Sequence, residues 1–274
     1  MATILDRIVE QTKEDLARRK REITFREFES MAHYENERRD FAGALRKPDS
    51  VSIIAEVKKA SPSKGIVRED FDPVKIARSY INGGASAISV LTDVPFFQGD
   101  LDYLSGISEI SSIPLLRKDF IVDPYQIKEA RAYGADAVLL IVSLYSGEQL
   151  SELLHAAKEF GLKALVECYE EKELLGLPWD EVEIVGVNNR DLHTFEVDLH
   201  RGGSILNQAP EPVIRVSESG LHQAEDIGYL YQQNIHSALI GEHFMRQKDP
   251  GEAIKKMMDT FSETFKNHPA GENN

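Results

Sequence analysis

From Val51 onward the chain alternates short, nearly unbroken apolar runs with stretches of helical periodicity. The runs are VSIIAEV (51–57), ASAISVL (85–91), IPLL (113–116), ADAVLLIV (135–142), KALVE (163–167), the stretch 184–188, PVIRVS (212–217) and SALIG (237–241). A half-buried strand alternates apolar and polar residues, whereas a strand covered on both faces reads as a continuous apolar run. The segments between carry helix punctuation. Asp123-Pro124 offers an N-cap and then a proline whose fixed φ suits a first helical turn, and Gly134 closes the helix so opened. Ser146 is placed to cap a helix ending at Gly161, and Asp249-Pro250 repeats the cap-and-proline start. Repeated strand–helix alternation of this kind predicts one α/β domain, a (β/α)8 or TIM barrel. An open doubly wound sheet is the alternative, weakened because no GxGxxG or P-loop string opens a strand–helix turn.

Upstream, residues 2–22 read as a helix with Ile4, Ile8, Val9 and Leu16 on roughly one face, and a second amphipathic segment runs from Thr24 to about Leu45. The basic run Arg18-Arg19-Lys20-Arg21 suits a solvated helix C-terminus better than an anion site. The expected organisation is a helical extension packed on the barrel (1–48), the catalytic barrel (49–265) and a polar tail (266–274).

Composition narrows the function. With 274 residues, 42% of them hydrophobic, the chain can bury a sizeable core. Its 46 acidic against 32 basic residues give a formal charge of −14. Such a surface repels nucleic acid but leaves room for a basic pocket around a small anionic ligand. Cys168 is the sole cysteine, which excludes an internal disulfide or a CxxC site. No apolar stretch is long enough to span a membrane, and charges interrupt any N-terminal signal core, so a cytoplasmic location is expected.

In a barrel of this kind chemistry sits where the strands end. The first strand ends in Glu56 and Lys58, two apart and therefore on one face. The third ends in Lys118 with Phe120, the fifth in Glu167, the sixth in Asn188 and Arg190, the seventh in Glu218, Ser219 and Gly220, and the eighth in Gly241 and Glu242. Lysines and carboxylates converging on one rim are costly to bury without pairing or purpose. Glycines just past the last two strands let backbone N–H groups approach a phosphate.

The strings IIAEVKKASPSKG (53–65), SVLTDVPFFQGD (89–100), LLRKDFIVDPYQI (115–127), ALVE (164–167), VGVNNRDLHTFEVDL (185–199), SESG (217–220) and ALIGE (238–242) resemble the indole-3-glycerol phosphate synthases, in family order and across the whole barrel. The resemblance implies that 1-(2-carboxyphenylamino)-1-deoxyribulose 5-phosphate is closed to an indole with loss of CO2 and water, with no metal or organic cofactor. It implies Lys118 as general acid, Glu167 as its acid/base partner, and Glu56 and Lys58 at catalytic positions. Asn188 and Ser219 would place the sugar and amine. Arg190, Glu218 and Glu242 would support or bind substrate, and Ser61, Gly220 and Gly241 would contact its anionic groups. Leu91, Phe97, Phe120 and Leu140 would wall the aromatic ring. A lysine in an apolar pocket or beside another cation has a lowered pKa, which is the expectation for the acid. The resemblance implies a small-molecule partner only, with the chain a monomer or weak homo-oligomer. Departures from the pattern are Cys168 after Glu167, Val94-Pro95 in the loop after the second strand, and Asp100 in place of a serine. Three alternatives stay open: a Schiff-base aldolase using Lys118, a metal-assisted barrel using Glu56, Glu167 and Glu218, and a non-catalytic sugar-phosphate binder.

Overall fold

The computed structural model describes residues 3–190 and 196–266. Eight parallel strands close into a barrel: β1 Ser52–Val57, β2 Ala87–Leu91, β3 Leu115–Lys118, β4 Ala137–Ile141, β5 Lys163–Cys168, β6 Ile184–Asn188, β7 Ile214–Glu218 and β8 Ser237–Ile240. Each pairs with its sequence neighbours, and β1 pairs with β8 to complete the ring. The closed barrel predicted from the apolar runs is therefore present, and the open sheet is not. Helices follow the strands on the outside, from Pro73–Asn82 to Pro250–Phe261.

The helix starts follow local chemistry. Asp123 and Asp249 accept backbone N–H bonds from the turns they open, and proline follows each. Gly134 and Gly161 leave their helices at φ +88° and +66°, a region that only glycine enters cheaply. Ser146 precedes Gly147–Glu159 as expected but makes no side-chain cap bond.

The period-2 alternation of each strand sorts its side chains into two cores. One lies between strands and outer helices; the other fills the barrel with Ile54, Leu116, Leu139, Leu165, Ile214 and Leu239 among its members. Phe41, Ala42 and Leu45 belong to the inner core. Ser52 and Ser237, the first residues of β1 and β8, donate hydroxyl bonds to the Ala44 and Leu45 carbonyls. The segment at 41–45 thus plugs the end of the barrel where strands begin, leaving the opposite end for the site.

The N-terminal helix runs Ile4–Glu22 with a reciprocal Thr3/Asp6 capping box. Ile8 and Leu16 are buried as expected; Thr12, between them on the same face, is buried too by returning its hydroxyl to the Ile8 carbonyl. The second amphipathic segment, from Thr24 to about Leu45, is not one continuous helix. In its place are a 3-10 turn, Glu27–Ser30, and a four-residue helix, Phe41–Ala44. Phe28, Phe41 and Leu45 are each fully buried, and satisfying three separate anchor points is incompatible with one straight helix. The expected polar tail lies outside the described residues beyond Lys266, as does the 191–195 part of the motif VGVNNRDLHTFEVDL. Among the described residues no helix is long and apolar enough to cross a membrane.

Candidate active site

At the open end of the barrel, β3, β5 and β7 each finish with an inward ionisable side chain. Lys118 Nζ lies 3.1 Å from Glu167 Oε2 and 3.5 Å from Glu218 Oε2. Asn188, paired with Glu218 across the β6–β7 ladder, donates to Glu167 Oε1 at 3.4 Å. Glu218 is buried, and a Cβ on Gly186 would lie 2.2 Å from its Oε1, so its inward placement requires glycine at 186. On β1, Lys58 Nζ donates to Glu56 Oε2 at 2.6 Å, and a Cβ on Gly241 would come within 2.1 Å of that same oxygen. Gly241 therefore makes room for the Glu56 carboxylate, a demand the sequence did not reveal.

The charges are interdependent. Burial works against the Lys118 ammonium, but Glu167, Glu218 and Glu56 outweigh it and hold its pKa above the ordinary lysine value. The expectation of a lowered lysine pKa is thus reversed, because the neighbours are carboxylates rather than apolar groups or cations. Burial first and the Glu167 charge second push Glu218 well above the usual carboxyl range. Burial also opposes ionisation of Glu167, but Lys118 and the hydrogen bonds to it hold it below that range. The two carboxyls titrate as a coupled pair, with ionisation favoured at Glu167 and disfavoured at Glu218.

The backbone past β7 is held in an unusual shape. Ser219 and Gly220 both have positive φ, +71° and +75°, and for serine that conformation costs on the order of 1 kcal/mol. Asn189, buried beneath, secures it by donating to the Ser217 hydroxyl at 2.9 Å and the Ser219 carbonyl at 2.9 Å. A Cβ on Gly202 would collide with Asn189 Oδ1 at 1.8 Å, so that glycine lets Asn189 in. Arg190 starts the next loop, its N–H bonded to Asn188 Oδ1 at 3.0 Å.

These groups line one cavity of about 190 Å³. Of the expected residues, Glu56, Lys58, Ser61, Lys118, Glu167 and Asn188 border it, as do Arg190, Glu218, Ser219, Gly220, Gly241 and Glu242. So do Leu91, Phe97 and Phe120, the last two with ring centroids 6.1 Å apart. Leu140 is the exception. It points outward into the layer beneath the helices, and Leu139 and Ile141 face the cavity instead. Counting by two back from the strand end would have found them. Sequence reasoning also missed Ile4, Leu5 and Ile8, by which the N-terminal helix roofs the cavity, and His222 and His243 beside the glycine loops. The roof is non-local and had no signal beyond an apolar helix face. Cys168 is buried and points into the outer core, away from the cavity.

Lys118 occupies the space between Glu167 and Glu218 where a cation held by those carboxylates would sit, which disfavours the metal-assisted alternative. Fold and site together define a (β/α)8-barrel of acid–base type, with a lysine–carboxylate cluster under an apolar roof.

The family model for indole-3-glycerol phosphate synthase matches residues 5–257. An indole-3-glycerol phosphate synthase of Salinibacter ruber is 49% identical over 257 residues, covering 93% of this chain and 95% of its own. Those of Rhodopirellula baltica and Acetivibrio thermocellus are each 47% identical, over 256 and 255 residues, covering 93% and 92% of this chain and 99% and 98% of theirs. The chain belongs to the indole-3-glycerol phosphate synthase family. Among solved structures, one from the tryptophan synthase a2b2 complex of Pyrococcus furiosus aligns with a TM-score of 0.57 at 15% identity, over 80% of this chain and 99% of that one. Thiamine phosphate pyrophosphorylase from the same organism aligns with a TM-score of 0.57 at 14% identity, over 78% and 96%. At such identities the likeness shows the barrel fold alone.

Proposed function

We propose that the chain converts 1-(2-carboxyphenylamino)-1-deoxyribulose 5-phosphate to indole-3-glycerol phosphate, CO2 and water, a carbon–carbon carboxy-lyase step of tryptophan biosynthesis. The observation that carries this reading is Lys118 Nζ held between Glu167 and Glu218 beneath an apolar wall. As the aryl carbon attacks the ketone carbon, the oxygen gains negative charge. The Lys118 ammonium, kept charged by its carboxylate neighbours, is placed to neutralise that charge and to pass a proton to the strongly basic oxygen. Loss of the ring carboxylate as CO2 returns its bond pair to the ring and restores aromaticity. The new hydroxyl then leaves as water, taking a proton from Lys58 or from Glu218, whose burial favours its protonated form. Glu167, held ionised, accepts the proton released from nitrogen or carbon.

Positioning supplies much of the acceleration, because the aryl carbon must fold onto the ketone carbon. Gly220, Gly241 and Ser61 are the proposed phosphate contacts, with Lys58 and Arg190 as cations for the substrate's anionic ends. Leu91, Phe97, Phe120, Leu139 and Ile141 form the proposed aromatic wall. Because Ile4, Leu5 and Ile8 also line the cavity, the extension 1–48 and the barrel 49–265 are proposed to work as one unit. The proposed setting is the cytoplasm, where a biosynthetic sugar phosphate would be supplied.

The test is formation of a fluorescent indole from that substrate by the purified protein, with Lys118→Met and Glu167→Gln alongside. Removing a group that neutralises transition-state charge costs about 3–4 kcal/mol, or 10²–10³ in kcat. An unchanged kcat in Lys118→Met refutes the assignment. A borohydride-trapped adduct on Lys118 would instead favour the Schiff-base alternative.

A further inference from the structure

Arg117 precedes Lys118 and, being one residue out of phase on β3, points the other way. Its side chain is wholly excluded from solvent. Nη2 donates to Asp119 Oδ2 at 2.8 Å and lies 2.9 Å from Glu129 Oε2; Nη1 donates to the Gln126 carbonyl at 2.7 Å, and Nε to the Thr92 hydroxyl at 3.1 Å. Thr92 in turn donates to Asp119 at 2.6 Å. Gln126 holds the Phe120 carbonyl and the Val122 N–H, at 2.9 and 2.8 Å. The residues on both sides of Lys118, and the turn that carries Phe120, are thereby tied to the end of β2 and to the helix Pro124–Ala132.

Stability is a poor reason for such an arrangement. A buried guanidinium between two carboxylates loses several kcal/mol of hydration per ion, and apolar replacements of similar volume are often as stable. What a saturated ionic network does supply is fixed geometry.

The network also leaves the barrel. Glu129 Oε2, the oxygen beside Arg117, accepts from Nη1 of Arg19 at 2.6 Å. Arg19 belongs to the N-terminal helix, whose carboxyl end is further seated by Lys20 on Asp123 at 2.7 Å and by the Tyr125 hydroxyl on the Arg19 and Ile23 carbonyls at 3.0 and 2.8 Å. The amino-terminal half of that helix brings Ile4, Leu5 and Ile8 to the cavity. One carboxylate oxygen therefore joins the strand bearing Lys118 to the helix that roofs the site.

The geometry points to Arg117 as a positioning residue for Lys118, and to the Arg19–Glu129–Arg117 chain as the element that makes seating of the N-terminal helix and placement of the Lys118 ammonium a single event. This inference rests on the reading of Lys118 as the general acid.

The test compares Arg19→Met, Glu129→Gln and Arg19→Lys with the unaltered protein, well below their melting temperatures. Arg19 is at the network's edge, so Arg19→Met leaves the Arg117–Asp119 pair intact even if Glu129→Gln folds poorly. Two readouts are taken: kcat against KM, and the acetylation rate of Lys118 by sulfosuccinimidyl acetate, followed by peptide mass spectrometry with half-exposed Lys163 as internal standard. Misplacing a catalytic group by a fraction of an ångström to an ångström is expected to lower kcat by about tenfold with KM within about twofold. Lys118 should be acetylated several-fold faster relative to Lys163, and Arg19→Lys should restore both readouts. A rise in KM with unchanged kcat and unchanged labelling would mean that the helix only roofs the cavity, and would overturn the inference while leaving the proposed function standing. If Lys118→Met retains full kcat, it is the functional reading that fails, and the labelling rate alone decides whether the network positions Lys118.

Discussion

Asp93 offers a quantitative check on the electrostatics around the site. It follows β2 and caps the four-residue helix Val94–Phe97, its Oδ1 accepting from the Phe96 and Phe97 N–H groups at 2.8 and 3.1 Å. That helix presents Phe97 to the cavity. Asp93 is only 7% exposed, and burial first and the charge of Asp119 second lift its pKa from 3.8 to about 6. A lift of that size corresponds to roughly 3 kcal/mol. The folded state binds this proton more tightly than the unfolded chain, so the ionised form is the disfavoured one. Below the unfolded pKa both states are protonated and nothing is lost. The penalty grows as pH rises from about 4 to about 6 and is constant above. Asp93→Asn keeps the Oδ1 acceptor, adds an amide donor in the field of Asp119 and cannot ionise. It should therefore be more stable than the unaltered protein by roughly 1–3 kcal/mol at pH 8, a rise of about 2–4 °C in Tm per kcal/mol for a chain of this size. At pH 4.5 the gain should shrink to under about 1 kcal/mol. Paired urea unfolding curves at the two pH values measure it. A gain of equal size at both, or none at pH 8, would show that Asp93 carries no such penalty.

Gly241→Ala should displace the Glu56 carboxylate that its Cβ would meet at 2.1 Å, lowering kcat/KM by about tenfold or more with little loss of stability, as steady-state kinetics and thermal unfolding would show. Leu139→Ala and Leu140→Ala should each cost about 2–5 kcal/mol in chemical unfolding, but only the first should alter KM, since only Leu139 faces the cavity. Lys118→Met strips Glu167 of the partner that holds its pKa down, so the stability which that carboxylate contributes above its unfolded pKa disappears. The deficit relative to the unaltered protein should grow between about pH 4 and 7 towards about 3–5 kcal/mol; a pH-independent deficit would count against the pairing.

The strands were legible because each is an apolar run sandwiched between two layers, a property of the residues themselves. The rim residues were legible for the same reason, since a charge that ends such a run is conspicuous. What escaped was phase and distance. Leu140, which the resemblance implied, lies one residue out of phase with the cavity wall; a run of consecutive apolar residues hides which half faces inward, and the phase of Glu167, opposite Ile141 in the β4–β5 ladder, resolves it. The segment 24–45 has enough apolar residues for a helix, but they are spent on separate anchors: Phe28 against Tyr125, with centroids 4.9 Å apart, and Phe41 and Leu45 in the barrel plug. Gly186, Gly202 and Gly241 read as ordinary glycines in sequence. Each is in fact the space needed by a polar side chain from another segment, and such a requirement exists only after folding.

The disfavoured ionisation of Glu218 links these observations to binding. The chain bears a formal charge of −14, and the proposed substrate carries a phosphate and a carboxylate. Lys58 pairs with Glu56 and Lys118 with Glu167, and Glu242 borders the same cavity. Burial and the adjacent Glu167 charge raise the pKa of Glu218, so the fold disfavours a further negative charge beside Lys118. The burial that looks costly for a carboxyl thus limits the repulsion an arriving anion meets on a strongly acidic protein, and Gly186 leaves the room for that carboxyl.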